Sequence, residues 1–438
     1  MAVQAAEAGV ADSDVEAPLP RHAGPGRRLL RALGDVGPAM AVYAAVRALG
    51  LGVLWYAADV MGADPAVRLL QYDARWLVEI ARDGYDTTIE YDATGRPRIL
   101  NAAFFPLLPL LIRSVATLTG LPVVTAGYVV VAVSGLVAAG GVDRVGRLVV
   151  ACRTRSRPRL EAGATPARWP VERRTGLVLV ALWASWPHAV VLSMVYSEAL
   201  FVALAAWALV CVLTGRWTAA GVLALLAGAT RPTGTALAAA VALAAAVQVC
   251  RVVLRARRGG PRPAAGRGRL LTSLGGPVTA ALLAPLGFLS YWWWLGRQMG
   301  RPDAWFHVQR VAWGSTFDGG RFQWEATRRA LSGEAPAVLV ECAVVVLVCV
   351  VLLLVLAAYR APLPVLVYTA LVVYAAVGSA GYAQSKPRFL LVAFPLLIPL
   401  ARALAAGPAA LAGLVLVAAA SAAAWYGAYL LLIWTVSP

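Results

Sequence analysis

Acidic side chains are scarce in this chain, 22 Asp and Glu among 438 residues, and lysine is nearly absent: Lys386 stands alone among 39 basic residues. Charged residues of either sign make up only 14% of the chain, against 60% hydrophobic residues and a mean hydropathy of +0.71. A soluble domain of this length cannot bury so much apolar surface, so the composition excludes an ordinary globular protein and points to an all-α polytopic membrane protein. Cysteine is sparse as well. Cys152, Cys211, Cys250, Cys342 and Cys349 form no C-x-x-C spacing and four of them fall in apolar runs. They read as small buried hydrophobes, with no support for a disulfide framework or a zinc site. Neither a Walker A sequence nor a dinucleotide-binding glycine fingerprint occurs, which argues against an ATP-driven pump.

What is present is a succession of apolar runs. About eleven are long enough to suggest membrane spans, near 38–60, 121–142, 175–196, 198–215, 217–231, 233–251, 271–296, 336–358, 361–380, 389–405 and 408–434. The net charge of +17 comes almost wholly from arginine. In a soluble chain it would suggest nucleic acid; here the arginines sit in short segments between apolar runs and report topology instead. Residues 143–174 hold nine Arg against three acids, and 251–269 hold seven Arg and no acid. Both loops, taken as 143–174 and 252–270, are therefore expected in the cytoplasm, together with the Arg21–Arg31 cluster. Residues 1–37 read as a disordered cytoplasmic segment, too long and acidic for a signal peptide, and 38–438 as a single transmembrane domain. These assignments agree only if 101–120, with two prolines and Arg113, is an interfacial or re-entrant helix and not a crossing. Segments 61–120, 297–335 and 381–388 then all face outward.

The outward segments carry the unusual residues. In "YDARWLVEIARDGYD" (72–86), Arg75, Glu79 and Arg82 share one helical side, and Trp76, Leu77, Ile80 and Ala81 the other. Such a helix is expected to lie flat on the outer leaflet with its apolar side among lipid headgroups, closed by Gly84. Asp73 precedes it, where it fits equally a helix N-cap or a functional carboxylate. "YAQSKPRF" (382–389) sets Lys386 and Arg388 outside with no acid nearby, suiting either snorkelling cations or an anionic phosphate. "VYSEALF" (195–201) places Glu198, and "GATRPTG" (228–234) places Arg231, at outer span boundaries. Boundary charges of this kind are costly, and the two either pair with one another or serve a substrate. Glu341, inside a span, is a weaker candidate of the same kind. The aromatics of 297–335, with His307 among them, suit sugar stacking or interfacial anchoring. One carboxylate with several cations suits a reaction in which the acid takes a hydroxyl proton while the cations hold a phosphate leaving group.

At these residues the chain resembles a known family. "YDARWLVEIARDGYD" followed by "NAAFFPLLPLLIR" (101–113), then "WPHAVVLSMVYSEALFVAL" (186–204), "ATRPTG" (229–234) and "SKPRFLLVAFPL" (385–396), resemble in order the motifs of the PIG-V-like GPI mannosyltransferases and their bacterial relatives. The resemblance implies a GT-C architecture and a multi-pass protein of the plasma membrane that transfers mannose from a polyprenyl-phosphate donor on the non-cytoplasmic face. It implies Asp73 as general base; the mechanism expected from the residues then sets Arg388 and Lys386, with Arg231 as a further candidate, on the donor phosphate. Tyr72, Arg75, Glu79, Tyr85, Glu198, Gln384 and His307 are the accompanying candidates for substrate binding. The acceptor would be a membrane lipid or a cell-envelope glycan, with the bilayer itself as a partner and no nucleic acid. Two features depart from the pattern: Tyr72 stands where Trp is common, and the segment after Tyr85 is longer. The scheme requires no cofactor. Asp83, Asp86 and Asp92 offer oxygen ligands to a divalent metal, at a spacing that is not diagnostic.

Overall fold

The computed structural model describes residues 25–95, 97–154, 170–257, 266–434 and 436–437. Helices dominate. In chain order they are α1 (Pro25–Val60), α2 (Pro65–Leu69), α3 (Asp73–Asp83), α4 (Leu107–Thr119), α5 (Val123–Thr154), α6 (Val171–Ala184), α7 (Glu198–Leu213), α8 (Trp217–Gly228) and α9 (Gly234–Arg257). There follow α10 (Gly266–Leu283), α11 (Leu286–Met299), α12 (Ala304–Val311), α13 (Arg321–Leu331), α14 (Ala337–Ala358), α15 (Leu363–Gly378), α16 (Lys386–Leu391), α17 (Ile398–Ala406) and α18 (Ala409–Leu432). The short strands β1 (Thr316–Phe317) and β2 (Ser379–Ala380) pair antiparallel.

Among the described residues, six helical stretches are long and apolar enough to cross a membrane: 34–60, 123–153, 234–255, 273–299, 337–358 and 409–432. A seventh crossing results if the pair 383–391 and 394–406, bent by 74°, counts as one. Of the other expected spans, 175–196 is α-helical only as α6, which ends at Ala184 after 14 residues, and α7, α8 and α15 have only 16, 12 and 16 residues. At 1.5 Å per residue they reach about 18–24 Å, short of a hydrocarbon core of about 30 Å. Their ends are set by breakers, such as Pro232 between α8 and α9 and the positive-φ Gly215 between α7 and α8. α7 is buried on almost every side, with α5, α8 and α9 packed around it. Small residues allow this: Gly141 faces Ala206, and Gly176 meets Asp143 across the α5–α6 contact.

Two expected boundaries move. Residues 25–37, expected to be disordered, belong to α1, because Asp35 is held by Arg144 at 2.6 Å and Arg147 at 2.7 Å. The expected 143–174 loop is helical to Thr154, since Asp143 pairs with Arg147 one turn on at 2.7 Å and its charge needs no loop. The rest of that loop, 155–169, the centre of the other at 258–265 and residues 1–24 lie outside the described residues. Arg153 donates to Tyr359 O, and Arg174 to Gly407 O at 3.2 Å. These bonds gather the start of α1, the end of α5, the start of α6 and the ends of α14 and α17 at one arginine-rich end.

The segments expected to face outward gather at the opposite end. α3 does not lay its apolar side on lipid; Ala74, Leu77, Val78, Ile80 and Ala81 are buried in the protein core against α4 and α5. Arg113 closes that contact by donating to Ala81 O at 2.7 Å and Arg82 O at 3.0 Å, so it satisfies the carbonyls at the end of α3. Tyr291, Trp305 and Trp313 donate to the carbonyls of Ala102, Ala103 and Leu100 at 2.8, 3.2 and 2.9 Å. Trp305 and Trp313 of the 297–335 segment, with Tyr291 of α11, thus hold down the backbone of 100–103, a use that neither sugar stacking nor interfacial anchoring foresaw.

Candidate functional site

Four charged side chains, distant in sequence, meet at the loop end of the helices. Arg388 Nη1 donates to Asp73 Oδ2 at 2.7 Å. On its other side Arg388 Nε lies 3.7 Å from Glu198 Oε1. Arg231 Nη1 closes on the same Glu198 oxygen and donates to Ser197 Oγ at 3.3 Å. The Arg388 guanidinium stands 5.1 Å from the Tyr196 ring centroid and 5.0 Å from that of Phe389, while Tyr196 Oη accepts from the Asp73 backbone N–H at 3.3 Å. The order is therefore Asp73–Arg388–Glu198–Arg231, alternating in sign and formally neutral.

Local structure explains each placement. Asp73 is the first residue of α3 and Glu198 the first of α7, so both carboxylates sit where the helix dipole favours negative charge. Asp73 makes no capping bond; its side chain turns to Arg388, which decides against the N-cap alternative. Tyr72 ahead of it takes φ 58° and ψ −126°, a conformation costing a non-glycine residue about 1–3 kcal/mol. Arg388 lies in the one-and-a-half-turn α16, and Arg231 in the Pro232 break.

The cluster is deeply placed. Side-chain exposure is 1% for Glu198, 7% for Arg388, 11% for Arg231 and 19% for Asp73, which makes Asp73 the member most open to a second molecule. Burial raises the Asp73 carboxyl above its ordinary range; Arg388 opposes the rise, Glu198 adds to it and Arg231 opposes it again. Glu198 Oε2, Arg231 Nε and Arg388 Nε make no hydrogen bond within the described protein. Unsatisfied buried groups concentrated in one place are uncommon and favour a ligand-binding role. A shallow crevice lined by Arg47, Leu54, Val190, Ser193 and Gly427 is bordered by none of the four.

Other candidates lie elsewhere. Lys386 points away from the cluster, donating to Ala376 O at 2.7 Å, Ser379 Oγ at 2.6 Å and Ser379 O. It caps the end of α15, a position that suits a cation. Arg75 is exposed, 4.6 Å over the Trp76 ring. Glu79 accepts from Asn101 Nδ2 at 3.3 Å, and Tyr85 Oη donates to Phe104 O at 3.0 Å. Both support the first loop. Gln384 offers its carbonyl to Cys342 Sγ at 3.4 Å. His307 is in α12, its pKa lowered by burial and by Arg301 and Arg310. The three acids weighed as metal ligands take separate local partners: Asp83 pairs with Arg82 at 2.9 Å, Asp86 Oδ2 accepts from Asn101 at 3.2 Å, and Asp92 Oδ1 accepts from Thr94 Oγ1 at 2.6 Å.

Sequence reasoning missed Asn101, which is 1% exposed and joins Glu79, Gly84 and Asp86, and Tyr196, the platform beneath Arg388. The signal for Tyr196 was its place in the same short segment as Glu198. No protein-family description, curated protein or solved structure matches this chain.

Proposed function

We propose that this chain is a GT-C-type membrane hexosyltransferase. In this reading it moves mannose from a polyprenyl-phosphate-mannose donor to a hydroxyl of a lipid-linked or cell-envelope acceptor, on the non-cytoplasmic face of the plasma membrane. The observation that carries the reading is the contact of Arg388 with Asp73, backed by Glu198 and Arg231, at the end where the expected outer segments gather. The motif resemblance supplies the sugar and the lipid carrier; the geometry supports the division of labour.

Asp73, raised in pKa and the most open of the four, takes the proton of the acceptor hydroxyl. The freed oxygen attacks the anomeric carbon from the face opposite the phosphate, so configuration inverts as the carbon–phosphate-oxygen bond breaks. The leaving lipid phosphate is met by the unsatisfied N–H groups of Arg388 and Arg231. Glu198 orients both guanidiniums. Since the sugar–phosphate bond is already activated, positioning and charge stabilisation supply most of the rate. Lys386 we assign to positioning, because its ammonium is engaged by the end of α15 and holds α16, hence Arg388, in place.

Eleven crossings fit this scheme if α10–α11 and α16–α17 each count as one and the short α6, α7, α8 and α15 are included. In this reading the 16-residue α7, about 24 Å long and shorter than a hydrocarbon core of about 30 Å, leaves Glu198 within reach of a lipid-borne phosphate. The arginine-rich end then faces the cytoplasm with the N-terminus.

The test is purified protein in nanodiscs with labelled polyprenyl-phosphate mannose and membrane extract, followed by identification of the labelled product. Transfer is expected from the native chain and lost by at least 10³-fold in Asp73→Asn, with unfolding temperature retained. Near-native turnover by Asp73→Asn sinks the assignment of the base. Transfer of another sugar from the same carrier keeps the class and changes the donor, whereas no transfer from any carrier-linked sugar rejects the class.

A further inference from the structure

A second polar cluster lies inside the helices, among residues the proposed chemistry does not use. We propose that His188, Glu341 and Cys342 form a site for a divalent transition metal of the zinc class, which ties α14 to the 186–197 segment that carries Tyr196. Their ligand atoms lie within 4.8 Å of one another. His188 is fully buried and Cys342 2% exposed. Neither ring nitrogen of His188 makes a hydrogen bond of ordinary geometry within the described protein, although the Gln384 backbone lies near enough to act on the ring. Glu341 Oε1 likewise has no partner. A histidine with both nitrogens unsatisfied in an apolar interior is costly, and a metal bond removes that cost.

Donor chemistry narrows the ion. Imidazole, carboxylate and thiolate together suit zinc-class ions and disfavour magnesium or calcium, which take oxygen alone. Charge fits as well: a neutral imidazole, one carboxylate and one thiolate neutralise a dication, the cheapest state in a low-dielectric interior. Cys342 Sγ is 3.4 Å from Glu341 Oε2, close to the roughly 3.3–3.7 Å edge of a tetrahedron with ligand bonds of about 2.0–2.3 Å. The Gln384 carbonyl, 3.4 Å from the same sulfur, is placed to supply a fourth donor. Tyr426 Oη donates to Glu341 Oε2 at 3.0 Å and its ring packs edge-on against His188, so both ligands are oriented from outside. Binding forms the metal–ligand bonds and releases the Cys342 thiol proton, and that of Glu341 where it carries one, to solvent; no redox step is involved.

The role that follows is a brace. Gln384 lies just ahead of Lys386 and Arg388, and His188 shares its segment with Tyr196, so a metal here joins the two chain segments that build the Arg388 side of the first cluster. The site does not depend on the glycosyl-transfer reading, and its test needs no substrate.

Tag-free, chelator-treated full-length chain in detergent is titrated with Co²⁺ alone, then with Zn²⁺. The expected result is one Co²⁺ per chain with a thiolate-to-cobalt charge-transfer band and tetrahedral visible absorption, both displaced by Zn²⁺. Cys342→Ser removes the charge-transfer band, and His188→Gln or Glu341→Gln weakens binding roughly tenfold or more. Should a variant fail to fold, X-ray absorption on the Zn²⁺-loaded native chain decides: one sulfur among nitrogen and oxygen neighbours supports the site. A shell without sulfur, no binding at micromolar free metal, or an unchanged band in folded Cys342→Ser overturns it.

Discussion

Arg388 answers two carboxylates at once, and this shapes what Asp73 can do. A bare carboxylate buried at this depth would hold its proton; a bidentate arginine pair would surrender it too readily to be a base. Here a single Nη1 contact at 2.7 Å faces Asp73, while the Nε side turns to Glu198. The balance leaves the Asp73 pKa above the ordinary carboxylate range, with burial the first cause. A base works deprotonated, so transfer is expected to fall as pH drops through that raised value, giving an acid limb at higher pH than an unperturbed aspartate would. A kcat/KM profile checks this: an acid limb at or below the ordinary carboxylate range removes Asp73 as the titrating base. The cluster's members were legible in the sequence because Glu198 and Arg231 are charges at the boundaries of apolar runs, and Asp73 and Arg388 stand in short polar segments between such runs. Lys386 was legible as unusual but not as a cap, since only folding brings the carbonyls of Ala376 and Ser379 to it. His188 and Cys342 were not legible at all, for a buried histidine or cysteine in an apolar run looks like any small core residue.

At the scale of elements, short helices and tight crossings hold the site in place. Lys386→Met leaves the carbonyls at the end of α15 without a donor in a buried place. The loss should be about 1–3 kcal/mol, seen as a lower thermal unfolding temperature in detergent, with donor KM moving less than in Arg388→Ala. Equal effects on donor KM would return Lys386 to the phosphate. The α8–α11 crossing offers a second check. A Cβ on Gly287 would stand 1.8 Å from Leu225 O and 2.8 Å from Ala229 N, both backbone, at the end of α8 that leads to Arg231. Gly287→Ala must force the helices apart and should cost at least about 1–3 kcal/mol. Gly275→Ala in α10, where nothing lies within 4 Å, should be neutral or slightly stabilising. Comparable unfolding temperatures for the two variants would contradict this packing. The amphipathic pattern of α3 was readable, yet its partner was not. The pattern gives an apolar side without saying whether lipid or protein covers it, and Arg113 with the buried Leu77 and Ile80 shows that protein does.

For the whole molecule, arginines of the segments expected in the cytoplasm gather at one end of the helices, away from Asp73 and Arg388. Arg144 and Arg147 meet Asp35, Arg153 meets Tyr359 O, and Arg174 meets Gly407 O, at the end remote in the helix order from Asp73 and Arg388. Arginine bias could be read from composition alone. The number of crossings could not, because hydropathy fails to separate a short helix sheltered by neighbours, such as α7, from a full span. The orientation itself has a direct test. Thr94 sits in the exposed turn after α3, and Arg216 in the exposed turn between α7 and α8 at the other end. With the arginine-rich end in the cytoplasm, Thr94→Cys should react with a membrane-impermeant maleimide in intact cells. Arg216→Cys should react only after permeabilisation, each read as labelling above that of the native chain. The reverse pattern would turn the molecule over and set Asp73 on the cytoplasmic side. Equal labelling of both in intact cells would mean that the segments between them do not form the odd set of crossings α5, α6 and α7.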